Sequence, residues 1–154
     1  MNNVIDRFEG ENYYLSNFYM CDVTYNGIEY KHTEGAFQAQ KSLNEQDRKY
    51  VASLHNPSLA KKVCGRHGSI KLRPDWEEVK DQIMDEILMA KFTQNPKLKE
   101  KLLATGEAKL IEGNTWHDNY WGNCTCSRCR HIEGRNQLGK TLMSIREELR
   151  SEVK

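Results

Sequence analysis

The sequence has no long apolar run. Nothing approaches the ~20 residues that a membrane-crossing helix needs, so no such segment is expected. The opening MNNVIDRFEGENYY lacks the apolar stretch of a secretory leader, which predicts a cytoplasmic location. Neither sign of charge dominates. Lys and Arg number 23 against 22 Asp and Glu, for a formal net charge of +1. No global field therefore argues for nucleic acid. Internal repeats, low-complexity tracts and linker-like stretches are also missing from the 154 residues. That length suits one domain with its own core, and a single domain over 1–154 is expected. The cysteines number five, an odd count in a chain without an export signal. They predict thiols or metal ligands rather than a disulfide framework.

What is present is mostly helical grammar. In DVTYNGIEYK, Asn26-Gly27 between Val23, Tyr25 and Ile28, Tyr30 predicts a hairpin. The pattern changes at TEGAFQAQKSL, where Thr33 is the expected N-cap of a helix reaching Leu43. A second helix is expected over Glu45 to Leu54. Asn56-Pro57 and Asn95-Pro96 open two more, closed by Gly65 and Gly106. The longest helix should run from Asp75 to Phe92, with Asp75 and Glu78 as a variant capping box. Trp76, Val79, Ile83, Ile87 and Leu88 form its apolar stripe. A short strand is expected over Lys109 to Glu112. A last helix from Arg135 or Asn136 carries the stripe Leu138, Leu142, Ile145 and Leu149. The fold class is α+β, predominantly helical, with a small N-terminal sheet or hairpin.

Several residue types could carry chemistry. Glu34, Gln38 and Lys41 share one helical face. At ~1.5 Å rise per residue, Glu34 and Lys41 stand roughly 10 Å apart along the axis. Alone they read as a solvated polar stripe, or as contacts to two ends of one small ligand. In SNFY, Asn17 suits a hydrogen bond to a base or sugar and Phe18 a stack; taken alone, the segment reads better as a strand end with a turn Asn and a core Phe. Trp76 reads as a core anchor. Arg66, His67, Lys71 and Arg73 before it suit a phosphate or solvent. In HDNYWGN, Asp118 beside Tyr120, Trp121 and Gly122 is either a desolvated general base or a turn residue. Gly134, Asn136 and Gly139 open the last helix, where backbone N–H groups suit an anion.

Cys124, Cys126 and Cys129 supply three soft ligands within six positions. Zinc takes four, and His131, His117 and Cys64 are the candidates to complete a set. A reduced, metal-free loop is the alternative.

Taken in order, the blocks YYLSNFY, YNGIEYKHTEGAFQAQK, LRPDWEEVKDQIM, AKFTQNPKLKEKLLATGEAKLIE, DNYWG and NQLGKTLMSIRE resemble the NADAR superfamily. This is the YbiA-like family of N-glycosidases of riboflavin biosynthesis intermediates. The resemblance runs from about Phe8 to Arg146. It implies the family fold and hydrolysis of the bond between ribose and an amino-bearing base. The implied substrates are phosphoribosylamino-pyrimidine intermediates of riboflavin synthesis, or ADP-ribose on guanine in DNA. The resemblance implies that no cofactor is required and that any zinc would be structural. By position, the resemblance implies catalytic Glu34, Lys41 and Asp118. It implies binding by Asn17, Phe18, Gln38, Trp76, Trp121, Gly122, Asn136 and Gly139. Two departures stand out. Gly35 follows the glutamate where relatives often have His. A longer segment with cysteines follows Trp121-Gly122, where many relatives are glycine-rich.

Breaking such a bond develops positive charge at the anomeric carbon. A carboxylate such as Glu34 would stabilise it or activate water. The amine of Lys41 would instead attack the ring-opened sugar and form an imine, with Asp118 as proton shuttle. The competing readings are a non-catalytic module for ADP-ribose or nucleotide and a zinc-bearing nucleic-acid adaptor.

Overall fold

The computed structural model describes residues 3–152. The chain divides into two compact units, Asn17–Asn95 and a second made of Met1–Ser16 with Pro96–Lys154. No helix among the described residues is long and apolar enough to cross a membrane. The α+β, mainly helical character is as expected.

In the second unit, β1 (Val4–Ile5) pairs in parallel with β4 (Lys109–Leu110), with Val4 opposite Lys109. A 3-10 turn covers Gly10–Leu15. In the Asn17–Asn95 unit, β2 (Met20–Tyr25) and β3 (Ile28–His32) form the expected hairpin, with Tyr25 opposite Ile28. Asn26 and Gly27 both take positive φ, 50° and 80°, which matches the right-handed twist of the strands. The register slips between Met20 and Val23.

Helix α1 (Thr33–Ala39) follows β3 without a loop. Its N-cap is His32 rather than Thr33: His32 Nδ1 accepts the Gly35 N–H at 2.8 Å. His32 Nε2 lies 3.2 Å from the Leu54 carbonyl. The ring is therefore the neutral Nε2–H tautomer, and burial lowers its pKa in the same direction. A Cβ on Gly35 would stand 2.8 Å from His32 Cε1, so the ring needs a glycine there. The helix also ends before Leu43, in turns at Gln40 and Lys41.

Around α1 pack α2 (Glu45–Ala52), α3 (Pro57–Val63) and α4 (Trp76–Gln94). Asn44 and Asn56 cap α2 and α3 through their side chains. Asp75 does not cap α4, because its carboxylate is held by Arg73 at 2.7 and 3.1 Å. The buried stripe of α4 is Trp76, Ile83, Met84, Ile87, Leu88, Lys91 and Phe92. The end of α4 is tied to β2, where the Gln94 amide donates to Thr24 O and accepts from Thr24 N.

The second unit continues with α5 (Pro96–Ala104), β4, and then β5 (Gly113–Asn114), which pairs in parallel with β6 (Asn123–Cys124). Helix α6 (Gln137–Glu152) buries Leu138, Leu142, Ile145 and Leu149, the expected stripe. Its Arg146 is buried too, with Nη1 donating to Thr105 Oγ1 and the Ala108 carbonyl. Gly139 is a packing residue, since a Cβ there would land on the Leu110 carbonyl oxygen.

Candidate active site

All seven residues of α1 are buried. The face with Glu34 and Gln38 is therefore not a solvated stripe, because α2, α3 and α4 cover the helix. Glu34 retains only 8% exposure, and its Oε2 accepts from Gln38 Nε2 at 2.7 Å. The carboxylate sits in the first turn of α1, where the helix dipole favours negative charge. With Nε2 committed to Glu34, Gln38 Oε1 is buried without a partner among the described residues. Such an acceptor is one that a ligand or an ordered water would satisfy.

Lys41 follows at the turn, and its carbonyl accepts the Arg73 N–H at 2.7 Å. Its Nζ lies 5.8 Å from the centre of the Trp76 ring. Trp76 in turn packs on Phe37, with centroids 5.0 Å apart. Burial lowers the Lys41 pKa; Cys64 and Glu34 oppose the shift, and Lys61 and Lys80 add to it. The Cys64 thiol is itself pushed up to about 11 by burial. At neutral pH it is uncharged, so it does not hold Lys41 in the ammonium form. Glu34 is the anion that does, and desolvation outweighs it. The arrangement provides a buried carboxylate and a half-buried amine with a weakened hold on its proton.

Asn17 and Arg73 in this unit make framework contacts. Asn17 Oδ1 accepts from Thr33 Oγ1 at 2.8 Å, and its Nδ2 points to Met84 Sδ at 3.6 Å. Its carbonyl also receives the Glu34 N–H at 3.0 Å. Asn17 thus pins the start of α1, and both ends of its amide are engaged. Phe18 is half-buried beside it. Arg73 pairs with Asp75 instead of standing open for a phosphate.

The remaining expected residues belong to the second unit. Asp118 Oδ1 accepts the N–H groups of Tyr120 and Trp121 at 3.1 and 2.9 Å, which is the turn reading of this residue. Trp121 meets Tyr120 edge-on at 4.9 Å. Gly122 is required by crowding, since a Cβ would collide with Glu112. Asn136, at φ 52°, donates to the Leu110 carbonyl and accepts from the Glu112 N–H. The start of α6 is not an open anion site. The N–H groups of Arg135, Asn136, Gln137 and Leu138 donate to carbonyls of Asn119, Gly122, Tyr120 and Trp121, and Gly134 donates to Asn123 Oδ1. These bonds close the neck of a loop whose tip carries the three cysteines.

At that tip His117 joins Cys124, Cys126 and Cys129, with all four ligand atoms within 4.8 Å of one another. His117 Nδ1 lies 3.3, 3.4 and 3.9 Å from the sulfurs of Cys126, Cys129 and Cys124. His131 is not a member, and Cys64 belongs to the Asn17–Asn95 unit. All five cysteines are free thiols.

One chemically notable residue has no counterpart in the sequence reading. Lys91 is fully buried, and burial pulls its pKa down to about 8. Its Nζ lies 5.7 and 5.4 Å from the ring centres of Tyr19 and Phe92. The signal was its spacing: three residues after Leu88 and four after Ile87, Lys91 falls on the apolar face of α4.

The NADAR domain profile matches residues 6–150. N-glycosidase YbiA of Escherichia coli (strain K12) is 41% identical over 135 residues, 88% of this chain and 80% of that protein. N-glycosidase Npun_R5314 of Nostoc punctiforme is 38% identical over 120 residues, covering 77% and 73% of the two chains. Riboflavin biosynthesis protein VVA0006 of Vibrio vulnificus is 33% identical over 136 residues, 88% of this chain but 35% of its own length. The NMR structure of E. coli YbiA superposes with a TM-score of 0.82 at 36% identity, covering 99% of this chain and 88% of that one.

Proposed function

The chain belongs to the NADAR domain family of N-glycosyl hydrolases, and from that premise we propose that it hydrolyses a phosphoribosylamino-pyrimidine intermediate of riboflavin synthesis. Its relatives include proteins named for riboflavin biosynthesis as well as N-glycosidases. That pairing supports a pyrimidine ribosylamine over ADP-ribosyl-guanine in DNA.

The observation that carries the mechanism is Lys41: a half-buried amine with a lowered pKa beside Trp76, influenced by the Glu34 carboxylate. A free lysine, with a pKa of ~10.4, is almost wholly protonated at pH 7. Desolvation raises the neutral fraction that can act as a nucleophile. In the ring-opened substrate the anomeric carbon is bonded to the base nitrogen as an imine. The Lys41 amine adds to that carbon, and the base leaves as its free amine. The resulting Lys41 imine takes up one water, releasing the sugar aldehyde and restoring the amine. Glu34 stabilises the cationic imines electrostatically, with Gln38 fixing its carboxylate.

Borohydride added during turnover tests this. The expected result is a stable secondary amine between ribose and Lys41, located on the peptide containing that residue. Lys41→Arg is expected to lose both adduct and turnover while keeping the charge, because guanidinium stays protonated at neutral pH. Comparable turnover by Lys41→Arg, without an adduct in wild type, would replace the imine route with direct hydrolysis. Parallel assays with the pyrimidine ribosylamine, ADP-ribosyl-guanine DNA and NAD decide the substrate. Exclusive turnover of the DNA would overturn the riboflavin assignment.

A further inference from the structure

Four side chains in the Pro96–Lys154 portion meet at one point without an assigned role. We infer that His117, Cys124, Cys126 and Cys129 form a single tetrahedral zinc site that holds the tip of the 117–134 loop. The distances carry the argument. With Zn–S bonds of ~2.3 Å and a Zn–N bond of ~2.05 Å, a tetrahedron separates N from S by roughly 3.5 Å and S from S by roughly 3.8 Å. The N···S separations here are 3.3, 3.4 and 3.9 Å, scattered about that value. The whole set spans at most 4.8 Å, a cage for one ion. A two-iron cluster would spread its ligands across two metal centres.

The surroundings also suit thiolates. The His117 N–H donates to Cys124 Sγ at 3.3 Å. The Cys124 N–H donates to Asn119 Oδ1 at 2.9 Å, which fixes the start of the cysteine segment. The Cys126-x-x-Cys129 turn is closed by the Cys129 N–H on the Cys126 carbonyl at 3.1 Å. The N–H···S contact to Cys124 orients that ligand and stabilises its charge. Three soft sulfurs and an imidazole match zinc, with no position left open for substrate. Binding Zn²⁺ displaces three thiol protons and leaves a net charge of −1 on the site. Arg128 and Arg130 flank Cys129 in the chain.

The backbone shows what the metal would hold. His117 has φ 70°, a left-handed conformation unfavourable for a residue with a Cβ. The next residue is Asp118, whose carboxylate fixes the turn bearing Tyr120 and Trp121. A metal bond to His117 would lock this strained junction and cross-link it to β6 and the Cys126–Cys129 turn. The site is thus structural and sets the position of the Asp118 turn.

The test uses the full chain, purified without added metal and without chelator. Elemental analysis is expected to find one zinc per chain. After chelation, Co²⁺ alone is expected to give the intense visible bands and sulfur-to-cobalt charge transfer of a tetrahedral three-thiolate site. Cys126→Ser and His117→Asn are expected to change those bands, whereas His131→Asn should leave them intact. If these variants fail to fold, refilling of the chelated wild type with Co²⁺ still decides the question. Removal of zinc should lower Tm by on the order of 10 °C, with recovery on refilling. Protein that neither carries zinc nor gives tetrahedral Co²⁺ bands would overturn the site, as would a disulfide among the three cysteines in fresh protein. A change caused by His131→Asn in place of His117→Asn would overturn the ligand assignment. An unchanged Tm after complete loss of zinc would overturn its structural role.

Discussion

Replacing Glu34 by Gln separates chemistry from folding. The carboxylate accepts from Gln38 Nε2 at 2.7 Å and sits in the first turn of α1. Losing the charge removes a dipole interaction of ~0.3–1 kcal/mol. It also weakens a charge-assisted hydrogen bond by about 1 kcal/mol. Two effects oppose this. A neutral amide is easier to bury than a carboxylate, and the new NH₂ can donate to Gln38 Oε1, which lacks a partner. The net change should lie within about 1.5 kcal/mol, a Tm shift under about 6 °C for a chain of this size. Activity should respond far more strongly. A carboxylate acting on the transition state contributes roughly 10²–10⁴-fold, or about 3–5 kcal/mol of barrier. The assay is kcat and kcat/KM for ribosylamine hydrolysis beside a thermal melt of the same preparation. Turnover within about threefold of wild type would refute the reasoning and remove Glu34 from the chemistry. A melting point that collapses together with activity would show the carboxylate to be a structural group.

Lys91→Met tests the buried lysine in α4. With a folded pKa of about 8 against ~10.4 unfolded, the unfolded chain binds more protons between those values, so wild-type stability rises with pH there. Relative to Lys91→Met, wild type should gain about 2.5 kcal/mol between pH 7 and 10 in urea titrations; parallel pH profiles would show that Lys91 is not desolvated. Gly35→Ala should push the His32 ring off its N-cap position and loosen the turn that carries Glu34. The lost cap, about 1 kcal/mol, is partly offset by the better helix propensity of Ala. Hydrolysis rates should therefore fall more than Tm does; a rate equal to wild type would show that the cap does not position Glu34.

The order of elements was legible in the sequence because it rests on local rules. Asn26-Gly27 demands a tight turn whatever surrounds it. Asn56 before Pro57 caps and starts a helix on its own. The α6 stripe of Leu138, Leu142, Ile145 and Leu149 follows from helical period alone. The spacing of the three cysteines likewise marked them in the sequence as candidate soft ligands. Tertiary structure decided what each polar group does. Whether Glu34 and Gln38 are solvated depends on the helices packed around α1, which no 3.6-residue period encodes. Asp75 could cap α4 by sequence, but Arg73 takes its carboxylate. The fourth member of the cysteine cluster had candidates on both sides of it. His117 was selected by a left-handed backbone and a parallel β5–β6 pairing that bring residues 117 and 124–129 together. Burial, hydrogen-bond competition and close approach of distant segments are properties of the packed chain. The lowered pKa values of Lys41 and Lys91 follow from the same cause, because only the folded interior withdraws water from their amines.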